Sequence, residues 1–281
     1  IFNLISQFYL DYTQGFETFP DISVENATDA QLSYDDMFLY VVSENDNSLK
    51  VFSYDKSTGY IQFVERIENA DIGNKFDFVH SIAIHPSDDW LYTVNQSDKT
   101  ILKFDRQPNG SLSIDNAADT VLPLGAIGQN LIISTDGMDL YTGTRINGSL
   151  FHYKIDQITG MLTLHKTFSN GDMSGGNTIS TLLGVNDFWL SNDEDYLYIT
   201  TFNGDSVLVF SRAFDGELTF LQKVENNFGG ISGMQQSLDI SGYDTLDESF
   251  VVVNTTGSKM FAFSRNPITG VLTYLGDYNE S

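Results

Sequence analysis

Residues 191–201 read SNDEDYLYITT, an acidic turn running into a Leu-Tyr strand. The phrase returns as SDDWLYTVN at 87–95, STDGMDLYTGT at 134–144 and SYDDMFLYVVS at 33–43. Aligned on the Leu-Tyr step, Leu39, Leu91, Leu140, Leu197 and Phe250 stand 52, 49, 57 and 53 residues apart. Each copy continues to an aromatic residue (Phe52, Phe104, Tyr153, Phe210, Phe263) and then to a turn glycine (Gly59, Gly110, Gly160, Gly216, Gly270). A period near 50 residues with landmarks in register marks a repeat architecture.

Within each copy four short strands are legible. The first is AQLS, SIAIH, NLIIS, DFWLS or SLDIS; the second is the Leu-Tyr strand; the third alternates, as in SLKVFSY and SVLVFSR; the fourth follows the glycine, as in MLTL and ELTF. Aromatic and β-branched residues between turn signals read as strand rather than helix. Four strands per repeat make a propeller blade. The predicted fold is an all-β propeller of five full blades, at 28–78, 79–127, 128–184, 185–234 and 235–281, in a single domain. Residues 1–27 read as a half blade, because Phe8 and Gly15 in LISQFYLDYTQGFETF repeat the spacing of Phe52 and Gly59. That start predicts a piece of a longer propeller, whose missing segment is one expected partner.

The charge is lopsided: 14 basic against 38 acidic residues, net −24. Such a surface repels phosphate backbones and argues against a nucleic-acid partner. There is no cysteine, which excludes disulfides, thiolate metal sites and Cys nucleophiles. No apolar run reaches the length of a membrane span, and the charge suits an exported, extracellular or periplasmic protein. The acidic turns match no EF-hand loop, so calcium there is possible but unsigned. The four histidines, His80, His85, His152 and His165, show no zinc spacing, and no metal or other cofactor is expected. No G-x-S-x-G elbow occurs.

The stretch HSIAIHPSDDWLYTVNQSDKTILKFDRQPNGSLS (80–113) and its sister repeats resemble the lactonase-type β-propeller family. The likeness lies in the Asp-rich turn, the Leu-Tyr-Val strand, the Phe-x-x-Asp strand end and the following Thr-Gly-x-Leu. It covers nearly the whole chain and implies seven blades. Family activities include 6-phosphogluconolactonase and carboxymuconate lactonizing enzyme. The family's catalytic face places an Arg-His pair before one first strand and Asn-Glu after the second. At the matching stretch 78–96, His80 and Ser81 stand for Arg and His, Asn95 matches, and Gln96 replaces Glu. Glutamine takes no part in proton transfer at neutral pH.

The expected binding face is where first strands begin and second strands end. Counting back from each first strand gives Thr28, His80, Gln129, Asn186 and Gln236, then Asp29, Ser81, Asn130, Asp187 and Ser237. Second strands end at Ser43, Asn95, Thr144, Thr201 and Asn254, followed by Glu44, Gln96, Arg145, Phe202 and Thr255. Exposed strand ends need hydrogen-bonding residues in any propeller. Beyond that role, Asp29, Glu44, Ser81, Asn95, Gln96, Gln129, Asn130, Asn186, Asp187 and Gln236 are candidate ligand contacts for a small polar or anionic ligand or a protein partner. His80 and Arg145 are the catalytic candidates, with Asp29 or Asp187 orienting His80 and Arg145 clamping an anion. Connectors 165–184 and 221–235 are expected to cover this face. Three functions are consistent with this reading: an exported binding module, a lactone hydrolase or lactonizing enzyme, and a structural repeat of a large surface protein. The first is the preferred expectation.

Overall fold

The computed structural model describes residues 26–114, 119–123, 127–146, 148–244 and 249–279. The half blade expected at 1–27 lies almost wholly outside the described residues. The first blade comprises β1 (Ala27–Leu32), β2 (Phe38–Ser43), β3 (Ser48–Asp55) and β4 (Tyr60–Glu68). The second comprises β5 (Val79–Ile84), β6 (Trp90–Asn95), β7 (Thr100–Arg106) and β8 (Leu112–Ile114), with β9 (Thr120–Val121) pairing further along β7. The third comprises β10 (Gly128–Ile133), β11 (Asp139–Thr144), β12 (Ser149–Ile155) and β13 (Leu162–Ser169). A small ladder of β14 (Met173–Ser174) and β15 (Asn177–Thr178) follows it. The fourth comprises β16 (Val185–Leu190), β17 (Tyr196–Thr201), β18 (Ser206–Arg212) and β19 (Leu218–Glu225). The fifth comprises β20 (Ser237–Asp244), β21 (Ser249–Thr255), β22 (Lys259–Arg265) and β23 (Leu272–Asn279). Every sheet is antiparallel and ordered as the chain runs, and β1, β5, β10, β16 and β20 pack as successive neighbours. These first strands therefore line the central axis. Among the described residues, no helix is long and apolar enough to cross a membrane.

The hydrophobic cores lie between blades. Tyr40, Leu49 and Val51 of the first blade pack with Ile82, Leu91 and Phe104 of the second. Trp90, Tyr92 and Ile101 pack with Leu131, Leu140 and Phe151 of the third. The same pattern joins the third to the fourth blade and the fourth to the fifth. Strands β2, β6, β11 and β17 are buried at every position. A sheet sandwiched on both faces needs apolar residues on both faces, and the Leu-Tyr strands supply them.

The tyrosine of the Leu-Tyr step is a latch. The hydroxyls of Tyr40, Tyr92, Tyr141 and Tyr198 donate to the carbonyls of Gly110, Gly160, Gly216 and Gly270, each in the turn of the next blade, at 2.9, 2.6, 2.8 and 2.7 Å. The turn glycine is required there. Gly110 has φ +84°, and a Cβ on it would lie 2.1 Å from Phe38 Cδ1. Arginines complete three of these latches: the Nε atoms of Arg106, Arg212 and Arg265 donate to the hydroxyls of Tyr40, Tyr141 and Tyr198. Their guanidinium groups also pair with Asp35, Asp136 and Asp193 in the acidic turns. The acidic turns thus do more than reverse the chain. Asp88, at φ +62°, accepts the backbone N–H groups of Tyr34 and Asp35 in the preceding blade at 2.9 and 2.8 Å.

One expectation is corrected. In the fifth blade Val251, not Phe250, pairs with Phe263 as Leu197 pairs with Phe210, so the repeat landmark is Val251. The hairpin between β20 and β21 is two residues longer than its sisters: Gly242 faces Val251, whereas Leu190 faces Leu197. The glycine-rich connector of 165–184 is packed against the third and fourth blades, and Thr181 meets Ser206 at the mouth-side start of β18. Residues 165–169 belong to β13, Ile179 and Leu182 are fully buried, and Ser174 Oγ accepts the N–H of Phe220 in the next blade.

Candidate functional site at the channel mouth

A bulge opens each first strand. Ala27, Val79, Gly128, Val185 and Ser237 pair with Ser43, Asn95, Thr144, Thr201 and Thr255, and the register shifts immediately afterwards. An extra residue at a bulge turns its side chain out of the ladder's alternation. The bulge brings Thr28, His80, Gln129, Asn186 and Leu238 to equivalent positions, followed by Asp29, Ser81, Asn130, Asp187 and Asp239. The fifth-blade equivalents are therefore Leu238 and Asp239, not Gln236 and Ser237, and the second strand ends at Thr255, not Asn254. Gln236 is exposed at φ +52°, and its Oε1 accepts the Thr256 hydroxyl at 2.6 Å.

Several of the candidate ligand contacts form a belt around the axis instead of pointing at open solvent. Asp29 Oδ2 accepts the N–H of Ile82 at 3.0 Å and lies 2.9 Å from Ser81 Oγ. Ser81 Oγ also contacts Asn130 Oδ1, so its single proton serves one neighbour at a time. Asn130 Nδ2 donates to Asp187 Oδ1 at 2.6 Å, and Asp187 Oδ2 accepts the N–H of Ile240 at 3.0 Å. Each of these acceptors satisfies a neighbouring blade. Asn186 Nδ2 does the reverse, donating to the Leu238 carbonyl at 3.0 Å. Asn95 is fully buried, which closes it both to ligand and, at its Asn-x-Ser sequon, to glycosylation.

The belt perturbs its own carboxylates. Asp187 is pushed up to about 7, chiefly by enclosure in the channel wall, with Asp239 and Asp29 adding repulsion against the opposing hydrogen bonds from Ile240 and Phe188. Its side chain is partly reachable by water and still surrounded by protein. Asp29 is also raised by enclosure, partly offset by its hydrogen bonds to Ile82, Ser81 and Ala30.

Above the belt lies the cluster centred on His80. Gln96 Nε2 donates to Gln129 Oε1 at 3.1 Å, and Gln129 Nε2 stands 3.0 Å from His80 Nε2. An amide N–H facing the ring requires Nε2 to be the acceptor, so the ring proton sits on Nδ1. Nδ1 is buried and without a hydrogen-bond partner. Neither Asp29 nor Asp187 orients His80, as the sequence suggested; Gln129 does. Burial pulls the His80 pKa below its ordinary value, and the charge of Arg145 pushes the same way. Glu44, Gln129 and Asp29 oppose them. Glu44 and Arg145, from the blades on either side, thus each lie within electrostatic reach of His80.

Arg145 is unusual in this chain. Twelve of the 14 basic residues form ion pairs. Among the described residues only Lys99 and Arg145 form none, and both sit on mouth-side hairpins. The Arg145 side chain is exposed. In a chain of net charge −24, an unpaired guanidinium within electrostatic reach of a neutral imidazole is a ready anion contact.

A cavity of about 370 Å³ lies at the other end of the first strands, lined in part by Gln31, Ile84, Ile133, Leu190 and Glu194. Its walls mix aliphatic side chains with polar ones, Thr135, Ser191 and Asn192 among them. Glu194, its carboxylate, is already engaged by the Thr135 N–H and Arg212. Acid–base and anion-binding chemistry favours the mouth.

The family described as Lactonase, 7-bladed beta-propeller matches residues 7–123 and 83–223. No curated protein sequence matches the chain. Among solved structures, a periplasmic gluconolactonase of Pseudomonas aeruginosa, PpgL, superposes with TM-score 0.69 at 16% identity, over 92% of this chain and 73% of its own. A protein from Lactobacillus plantarum superposes with TM-score 0.71 at 17% identity, over 89% and 70%. A functionally unknown protein from Desulfotomaculum acetoxidans gives 0.68 at 16%, over 92% and 72%. At such identities the structural likeness speaks to fold alone.

Proposed function

The chain belongs to the lactonase family of seven-bladed β-propellers, and from that premise we propose that its mouth face binds and hydrolyses the lactone of a small polyhydroxy acid. The observation that carries this reading is the unpaired Arg145 guanidinium within electrostatic reach of the neutral His80 imidazole. Arg145 holds the lactone carbonyl oxygen, where negative charge develops during attack. His80 Nε2 takes a proton from water as the water oxygen bonds to the carbonyl carbon. The ring oxygen then leaves and takes that proton back, so the products are an open-chain acid and a freed hydroxyl. Glu44 stabilises the transient imidazolium, the part that the glutamine at 96 does not play.

A gluconolactone is the first substrate to try, because one structural neighbour is a gluconolactonase. Acid release is followed by pH-stat above the spontaneous rate. His80→Gln is expected to lower kcat by about 10²–10⁴-fold, the ordinary worth of a general base. Arg145→Met is expected to lower kcat/KM. No release above background overturns the hydrolytic reading.

One observation favours a second reading, an exported binding module. The basic lone pair of His80 is already taken by the Gln129 amide, which suits recognition better than proton transfer. Saturable calorimetric binding of the open-chain acid, lost in Arg145→Met and accompanied by no turnover, would select this reading.

A further inference from the structure

Four positions in the third and fourth blades depart from the repeat, and they meet at one place. His152 on β12 faces Tyr141 across the ladder, where the sister strands carry Val51, Lys103 and Val209. His165 is the extra residue of the bulge between β12 and β13, where other blades carry Val64, Leu221 and Leu275. Glu217 follows the turn glycine of the fourth blade, where the others have Tyr60, Ser111, Met161 and Val271. Asp139 precedes the Leu-Tyr step, where the others have Phe38, Trp90 and Tyr196. The described blades are otherwise apolar or neutral at these positions, apart from Lys103.

The four side chains make one cluster across the interface between the third and fourth blades. His152 Nε2 lies 2.6 Å from Asp139 Oδ1, and the two side chains are 0% and 1% exposed. An imidazole that gives its Nε2 proton to a carboxylate keeps an unprotonated Nδ1. That Nδ1 is buried and has no hydrogen-bond partner. The His152 and His165 rings meet edge-on with centroids 4.9 Å apart. His165 Nε2 contacts Glu217 Oε1, and one ligating atom from each of His152, His165 and Glu217 lies within 4.8 Å of the other two.

We propose that His152, His165 and Glu217 bind a divalent transition metal ion of the zinc class, with the remaining position open toward solvent. Two imidazoles and one carboxylate are a ligand set used for Zn²⁺ with one open position. Calcium and magnesium prefer all-oxygen shells, and softer ions prefer thiolates, of which the chain has none. Asp139 supplies the outer hydrogen bond that fixes the tautomer and ring orientation of a ligating histidine. A metal on Nδ1 gives this orphaned atom the partner it otherwise lacks. Tetrahedral bonds of about 2.0–2.1 Å set ligand atoms roughly 3.3 Å apart, so the His165–Glu217 contact must open as the pair draws toward His152. His165 and Glu217 are partly exposed and free to do so. The nearby cations oppose the site only in part: Lys154 and Arg212 are spent on Asp139, and Lys166, which holds Glu217 Oε2 at 2.9 Å, is itself exposed.

The site shares no residue with the mouth and does not rest on the hydrolytic reading. The test is calorimetric titration of the metal-free chain with Zn²⁺, repeated with Co²⁺ to read its visible absorption. One equivalent is expected to bind, with a Co²⁺ spectrum of four-coordinate type. His165→Ala and Glu217→Gln, both at accessible positions that leave the fold intact, are each expected to weaken binding at least ~10-fold. Binding weaker than about 1 mM, or binding unchanged in both variants, overturns the proposal.

Discussion

Replacing Asp187 by asparagine isolates the electrostatic cost of the channel belt. Raising this carboxyl from 3.8 to about 7 makes its ionised form less favourable in the folded state, by about 4 kcal/mol at full weight. Water reaches part of the side chain, so roughly half of that, about 2 kcal/mol, is the working figure. The sign follows from linkage. A group whose folded pKa is raised contributes stability that is present below its unfolded pKa and is lost as pH rises through the folded value. The stability of the native chain should therefore fall, relative to the Asp187→Asn variant, across the window from 3.8 to about 7. Above that window the difference should stay constant. The substitution also removes an acceptor from Asn130 or Ile240, which costs the variant about 1–3 kcal/mol at every pH. The pH dependence of the difference, not its absolute size, is thus the observable. Urea unfolding of both proteins from about pH 4 to about pH 8 measures it. Parallel profiles for the two proteins would refute the reasoning, and so would a difference of the opposite sign.

Two further outcomes follow from the latches between blades. Tyr198→Phe leaves the Gly270 carbonyl and Arg265 Nε without the hydroxyl they share, and should cost about 1–3 kcal/mol in urea unfolding. Gly110→Ala combines a left-handed φ of +84° with a contact 2.1 Å from Phe38, and should lower Tm far more than Gly171→Ala, where φ is +95° and nothing lies within 4 Å. The second substitution carries only the backbone strain, about 1 kcal/mol.

The fold was legible because every blade solves the same physical problem with the same residues. Each needs a strand buried on both faces, a hydroxyl to reach the next turn and a glycine to let it approach, and Leu-Tyr and the turn glycine record this four times over. The arginines at 106, 212 and 265 carried a similar signal at equal register and could have been found in the sequence. The fifth blade was misread by one residue at Phe250 and by two at Gln236, because SFVVVN offers apolar residues in every frame and its hairpin is longer. A fixed count back from a landmark fails where hairpin length varies. The mouth was legible as a place but not as a geometry. Whether Asp29, Ser81, Asn130 and Asp187 face ligand or staple neighbouring blades depends on the bulges, which no spacing reveals. The same holds for His80, whose partner Gln129 lies 49 residues away. His152 and Glu217 are separated by a whole blade boundary, so their meeting had no local signature.

The account rests on the mouth, and not the cavity at the other end of the first strands, being where the ligand sits. A crystal structure of the chain with the open-chain acid of gluconolactone tests this directly. The account predicts the carboxylate within hydrogen-bonding distance of Arg145, with the adjoining hydroxyls turned toward His80 and Glu44. Density for the acid in the cavity between Gln31 and Glu194, with the mouth left to water, would contradict it.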